Sequence, residues 1–191
     1  MAGKQAKILS DIHIEDLLFF ASNTRKPIRN RVIVLLSTKA GLRAAEISNL
    51  TWEMLVDPSG DLASHVELHD SAAKNRGGRI IPLNAQLRRE LRALVETSSK
   101  AGHVIQSERG GKMKPLIIVI WFGRAFAAVG LEGCSSHSGR RTFITRAARL
   151  VHRAGGSLRD VQLLAGHRSI QTTQRYIDGD SDVQRRLVAL I

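Results

Sequence analysis

The chain has 191 residues, 43% of them hydrophobic, and carries 29 Lys and Arg against 17 Asp and Glu, a formal charge of +12. That is enough apolar material for one ordinary domain, and the charge points to a polyanionic partner, nucleic acid first. One cysteine, Cys134, excludes an internal disulfide framework and fits a reducing compartment, while aromatic residues at 4% argue against a base-stacking platform and leave duplex backbone as the better target. The N-terminal stretch MAGKQAKILSD lacks the apolar segment of a secretory signal, and the longest apolar run, LIIVIWF at 116–122, is too short to cross a bilayer, so no membrane role is expected.

Along the chain, Ile14, Leu17, Leu18 and Ala21 form an i, i+3, i+4, i+7 stripe that predicts a helix over 12–23. A second helix is expected over 27–40, with Pro27 in its first turn and Gly41 ending it. LRAAEISNL reads as a short third helix. Residues 57–83 change character: DPSGD and NRGG are turns, and SHVELHD and RIIPL read as an antiparallel hairpin. Helix returns over 84–99. KPLIIVIWFGRAFAAVG begins like a strand and ends like a helix. Further helices are expected over 137–153, over SLRDVQLLAG with Ser157 as N-cap and Gly166 just past the end, over SIQTTQRYI, and over DVQRRLVALI. The fold class expected is mainly α with a small antiparallel β-sheet, as a single domain over 1–191 with a flexible start at 1–8.

Metal-free cleavage of a DNA phosphodiester requires a nucleophile, cations on the two non-bridging oxygens, and a proton donor for the departing 5′ oxygen. Arginine suits the clamp because its planar fork holds two oxygens and keeps its charge. The chain offers these groups in a set order. GLRAAEI supplies Arg43, AAKNRGGRIIPL supplies Lys74, SSHSGRRTFIT supplies His137 and Arg140 one turn apart, and LLAGHRSIQTTQRY supplies His167 and Tyr176. Tyr176 is the only tyrosine in the chain.

Six such positions in this order resemble the catalytic domain of the tyrosine recombinases, or phage-type integrases, over nearly the whole chain from about Leu9. The resemblance implies that fold, and a site-specific recombinase that cuts and rejoins strands through a 3′-phosphotyrosyl link without cofactor or metal. It implies that Tyr176 attacks the scissile phosphate, Arg43 and Arg140 hold its oxygens, and Lys74 protonates the leaving oxygen. His137 would act as general base and His167 would hydrogen-bond the phosphate. Glu46 would buttress the site.

Taken alone, Arg43 could simply pair with Glu46, and Arg76 and Arg79 share the hairpin with Lys74. Arg76, Arg79, Arg141, Arg146, Arg149, Arg168 and Arg175 are expected to bind DNA backbone. The expected partner is double-stranded DNA, with a monomer in solution and a homotetramer on paired sites. Cytoplasmic location, at the nucleoid when DNA is bound, would follow. A non-cleaving DNA-binding regulator on the same fold and a type IB topoisomerase-like relaxing enzyme stay open.

Two other patterns are set aside. HVELH at 65–69 spaces two histidines along an alternating strand, and DGDSD at 178–182 lacks the glycine and glutamate of a calcium loop. Against the family pattern, which puts a helical clamp domain ahead of the catalytic domain, only residues 1–11 precede the first expected helix, and a naturally short member and a fragment both stay open. Gly139 stands where many members have a larger apolar residue, which suggests a looser helix start. Val183, Leu187 and Leu190 form an apolar stripe after the nucleophile, suited to packing within the chain or to docking on a neighbouring copy.

Overall fold

Asp11–Ser22 is the first helix, α1, and its start is built locally: the Ser10 side chain accepts from the His13 backbone N–H while His13 Nδ1 accepts from Ser10 N–H. The computed structural model describes residues 6–73, 77–97, 100–176, 185, 188, 189 and 191. Ile14, Leu17, Leu18 and Ala21 are buried, as their spacing predicts. They face α2, Pro27–Lys39, which begins with Pro27 in its first turn. α2 is buried along Val32, Ile33, Val34, Leu35 and Leu36 and forms the centre of the core. Its end turns at Gly41, whose φ of +65° is open to glycine at little cost. α3, Ala44–Asn49, follows at once, and then a 3₁₀ turn at Trp52–Met54.

The hairpin expected within 57–83 is two short antiparallel strands, β1 at His65–Leu68 and β2 at Arg79–Pro82. The register pairs His65 with Pro82 and Leu68 with Arg79, and Val66, Leu68 and Ile81 point into the core. α4, Ala85–Glu96, returns against α2 with Leu87, Leu91 and Leu94 buried. A fork between Arg31 and Glu90, at 2.6 and 3.0 Å, ties the two helices.

The segment that begins like a strand is a helix throughout. α5, Pro115–Ala128, buries Ile118, Phe122, Ala125 and Phe126, the i, i+4, i+7, i+8 face. Pro115 in its first turn and docking against α3 and α1 override the β-preference of Ile117, Ile118 and Val119. Leu116, Ile117, Val119 and Ile120 stay exposed on its other sides.

α6, Ser138–Leu150, carries the boundary between two compact units, Met1–Phe143 and Ile144–Ile191. The core just described belongs to the first. In the second, α6 runs on into a 3₁₀ turn at Val151–Ala154, followed by α7, Leu158–Ala165, and α8, Ile170–Gln174, which pack on each other. Ser157 caps α7: its backbone N–H donates to the Asp160 carboxylate at 2.7 Å, and Gly166 ends the helix in the left-handed region at φ +62°. The apolar stripe Val183, Leu187 and Leu190 and the DGDSD stretch lie outside the described residues.

Candidate active site

In the first unit the site is organised around one carboxylate. Glu46, on the first turn of α3, has a side chain with no solvent exposure. Its Oε2 accepts from the Arg43 backbone N–H at 2.9 Å, which caps α3, and its Oε1 accepts from Arg43 Nη1 at 2.9 Å. Arg79, from β2, meets the same carboxylate as a fork: Nη1 to Oε1 and Nη2 to Oε2, each 3.1 Å. Arg140 Nη1 stands 3.9 Å from Oε2 and donates to the Gly41 carbonyl at 2.6 Å. Burial alone pushes the Glu46 carboxyl up, but the hydrogen bond and charge of Arg79, the Arg43 N–H and the charge of Arg140 more than offset it. The net effect is a carboxyl held below its usual range.

The three guanidiniums differ in access. The Arg43 side chain is 26% exposed, Arg79 5% and Arg140 4%. The pairing of Arg43 with Glu46, an alternative to catalysis when read from sequence, is present and still leaves part of the side chain at the surface. Arg79 was expected among the DNA-backbone contacts, and the structure places its guanidinium on Glu46.

The start of α6 carries His137 and Arg140. The His137 carbonyl accepts from Arg141 N–H at 2.9 Å, so His137 is the residue just before the helix. Its own N–H donates to Ser135 Oγ at 3.3 Å. His137 is exposed, whereas Arg140, three residues on, is buried. The two do not share one helical face as their spacing suggested, because His137 lies outside the helix.

Gly139 between them is not a loosening element. A Cβ there would collide with Ser37 Oγ on α2 and stand 2.9 Å from Ser37 Cβ and 3.2 Å from Thr38 Cγ2. The glycine lets the two helices touch. Thr142, one turn on, accepts from Leu9 N–H at 2.8 Å and donates to the Ser138 carbonyl at 2.7 Å.

The second unit holds the other half of the predicted set. His167 is 8% exposed and follows Gly166, the left-handed residue that ends α7. Its Nδ1 lies 2.9 Å from Oγ1 of Thr173, a wholly buried residue of α8, and its carbonyl accepts from Gln162 Nε2 at 2.9 Å. Tyr176 sits two residues past the end of α8 and is half-buried. Its ring stacks on His167, with centroids 5.4 Å apart and planes 23° from parallel. The Tyr176 backbone N–H donates to the Thr173 carbonyl, and its own carbonyl accepts from Thr145 Oγ1 at 3.4 Å. The expected helix SIQTTQRYI is therefore shorter than its pattern, and the tyrosine stands on a turn.

Of the remaining predicted positions, Arg149, Arg168 and Arg175 are exposed, and Arg141 and Arg146 are half-buried. Lys74 and Arg76 lie outside the described residues. Sequence reasoning missed Ser37 and Thr173. The only signal for Thr173 was a threonine six residues after a histidine, between two glutamine-bearing turns of polar sequence.

The sequence pattern described as the Phage integrase family matches residues 7–182. Tyrosine recombinase XerC of Brucella melitensis is 31% identical over 155 residues, covering 80% of this chain and 47% of the relative. Tyrosine recombinase XerA of Thermococcus kodakarensis is 31% identical over 174 residues, covering 89% and 57%. The chain thus spans about half the length of these curated relatives. Among solved structures, a crystal structure of XerA recombinase superposes with a TM-score of 0.74 at 21% identity, over 100% of this chain and 65% of that one. XerH site-specific recombinase bound to its palindromic difH substrate gives 0.74 at 18% identity, over 99% and 54%. The catalytic domain of bacteriophage HP1 integrase gives 0.65 at 22% identity, over 91% and 88%. The fold is that of these catalytic domains, and with arginines gathered on Glu46, a histidine before α6 and a tyrosine stacked on His167, the chain belongs to the phage integrase family.

Proposed function

We propose that the chain is the catalytic domain of a site-specific DNA recombinase, which breaks and rejoins strands through a covalent 3′-phosphotyrosyl intermediate. Tyr176 Oη attacks the scissile phosphorus, the P–O5′ bond breaks, and the 5′ oxygen leaves as a hydroxyl after taking a proton from Lys74. His137 accepts the tyrosine proton. Arg43 and Arg140 hold the non-bridging oxygens, and His167 donates a hydrogen bond to the phosphate. The phosphotyrosyl bond conserves the energy of the broken ester, so a second 5′ hydroxyl can reverse the step on another strand.

The observation that carries this reading is the guanidinium cluster on Glu46. Arginine side chains fixed by a buried carboxylate and, for Arg140, by the Gly41 carbonyl are held in place before any substrate arrives. Such preorganised donors need little rearrangement as charge builds on the phosphate, and removing one typically costs roughly 10²–10³-fold in rate. The substrate class is double-stranded DNA, in keeping with the +12 charge and with structural neighbours solved on DNA, such as the XerH complex. Arg141, Arg146, Arg149, Arg168 and Arg175 are the backbone contacts of this reading, with Arg76. The chain acts as a monomer in solution and as a tetramer on paired sites, at the nucleoid of the cell. Among the described residues, no helix is long and apolar enough to cross a membrane.

The test is covalent capture. The protein is mixed with fragmented DNA of its own source, part of it nicked so that the 5′ product drifts away, and then denatured. A protein band carrying DNA, lost with Tyr176→Phe, is the expected result, and sequencing the trapped DNA names the site. DNA binding without a band favours the non-cleaving regulator. Relaxation of supercoiled plasmid without strand exchange favours the topoisomerase-like enzyme. A band that survives Tyr176→Phe removes Tyr176 as the nucleophile.

A further inference from the structure

Arg79 has no place in the reaction just described, yet its side chain is buried and held at both ends of its fork. Its side chain is 5% exposed and occupies both oxygens of Glu46 at 3.1 Å. It leaves β2 at the neck of the hairpin, where Gly78 N–H donates to Asp70 Oδ1 at 2.8 Å and Arg79 Nη1 reaches the Gly77 carbonyl at 3.4 Å. A Cβ at Gly78 would stand 2.9 Å from both Asp70 Oδ1 and the Leu68 carbonyl, so the neck is closed tightly. One guanidinium therefore joins the base of the hairpin to the carboxylate that also holds Arg43 and lies near Arg140.

A buried carboxylate attracts whatever cation it can reach, and among the described residues Arg43, Arg79 and Arg140 lie within 4 Å of Glu46. Without Arg79, the Arg43 fork would be drawn onto both oxygens, and so spent on Glu46 and not on a phosphate. Arg79 approaches with two parallel hydrogen bonds, the strongest form of this contact. Arg43 is left with one side-chain bond to Oε1, and Arg140 Nη1 lies 3.9 Å from Oε2 and donates to the Gly41 carbonyl. We propose that Arg79 is a positioning residue that satisfies Glu46, and thereby keeps the Arg43 guanidinium from being spent wholly on that carboxylate while fixing the neck of the hairpin. This rests on the recombinase reading for its consequence, though not for the coupling of Arg79 to Glu46.

The test uses the full chain, the nicked DNA site recovered by capture, and the variants Arg79→Gln, Glu46→Gln and their double. With Arg79→Gln, cleavage falls roughly 10- to 100-fold, the usual scale for a group that orients a reacting residue. DNA affinity and its salt dependence stay at wild-type values, because Arg79 does not touch phosphate. Adding Glu46→Gln removes the uncompensated carboxylate, so the double variant cleaves no worse than Arg79→Gln alone. A salt slope lowered by about one unit would instead make Arg79 a phosphate contact and overturn the proposal. So would double losses that simply multiply.

A second measurement needs no catalysis: the Glu46 side-chain carboxyl is titrated by carbon NMR in the free protein. Its midpoint rises in Arg79→Gln, since the largest favourable partner is gone, and an unchanged midpoint overturns the proposal. If wild type captures no DNA, the recombinase reading fails while this titration still decides the coupling. Should Arg79→Gln fail to fold, Arg79→Lys takes its place: losing the fork still lowers cleavage and raises the Glu46 midpoint, and keeping the charge makes both changes smaller.

Discussion

Glu46 shows how much of the candidate site rests on one buried carboxylate. Removing its side chain with Glu46→Ala leaves the Arg43, Arg79 and Arg140 guanidiniums without the carboxylate they share. Breaking a buried ion pair on one side costs about 3–5 kcal/mol, so a large fall in Tm is expected by calorimetry. The pH dependence has a definite sign. The folded-state pKa of Glu46 lies below its unfolded value of about 4.3, so the stabilisation is fully present above that value and is lost as pH falls through the folded one. Urea melts from neutral to acid pH should therefore show Glu46→Gln losing less stability on acidification than wild type. Thr173 has a comparable role toward His167. Thr173→Val keeps the shape and removes the hydroxyl 2.9 Å from Nδ1. Single-turnover cleavage should fall roughly 10- to 100-fold with the melting temperature little changed. At this scale residue type and spacing singled out Arg43, His137, Arg140, His167 and Tyr176 as candidates, and the structure sets Arg43 and Arg140 near Glu46 and stacks Tyr176 on His167. Sequence alone could not name Thr173 or the true partner of Arg79, since those depend on chain segments brought together only by folding.

Elements show a different division between local pattern and tertiary packing. α1, α2 and α7 were legible because caps, breakers and apolar stripes agree in each. α5 was not, since Ile117, Ile118 and Val119 favour strand locally and only the buried face Ile118, Phe122, Ala125 and Phe126 settles the matter. Gly139 is the sharper case. Read alone it weakens a helix start, and in the structure it is what allows α6 to approach Ser37. Gly139→Ala should destabilise the protein by about 1–3 kcal/mol through overpacking. Ser37→Ala, which removes the nearest atom, should recover part of the loss in the double variant. Equilibrium denaturation of the four proteins checks both statements, and additive effects would show that the two positions do not press on each other.

The whole molecule is read best through its charge. With six to ten phosphates neutralised, the logarithm of DNA affinity should fall with the logarithm of salt at a slope of about −5 to −9. Replacing Arg149, Arg168 or Arg175, all exposed, should each lower that slope by about one unit, without changing its dependence on DNA sequence. Fluorescence anisotropy across a salt series on one duplex is sufficient. A net charge of +12 points to the proposed partner from composition alone, while the division into two compact units did not show, because α6 continues through the boundary with an unbroken helical pattern.

The stack of Tyr176 on His167 has a practical consequence. A chain with one tyrosine is already labelled at a single address. Fluorotyrosine supplied during growth enters nowhere else, so the protein gives one fluorine resonance, displaced by the ring current of the imidazole beneath it. When the ring leaves that imidazole, the resonance moves, and when its oxygen becomes an ester it moves again. On the proposed reaction, Tyr176 can then be followed from rest to covalent bond in a single spectrum, with no probe attached to the surface.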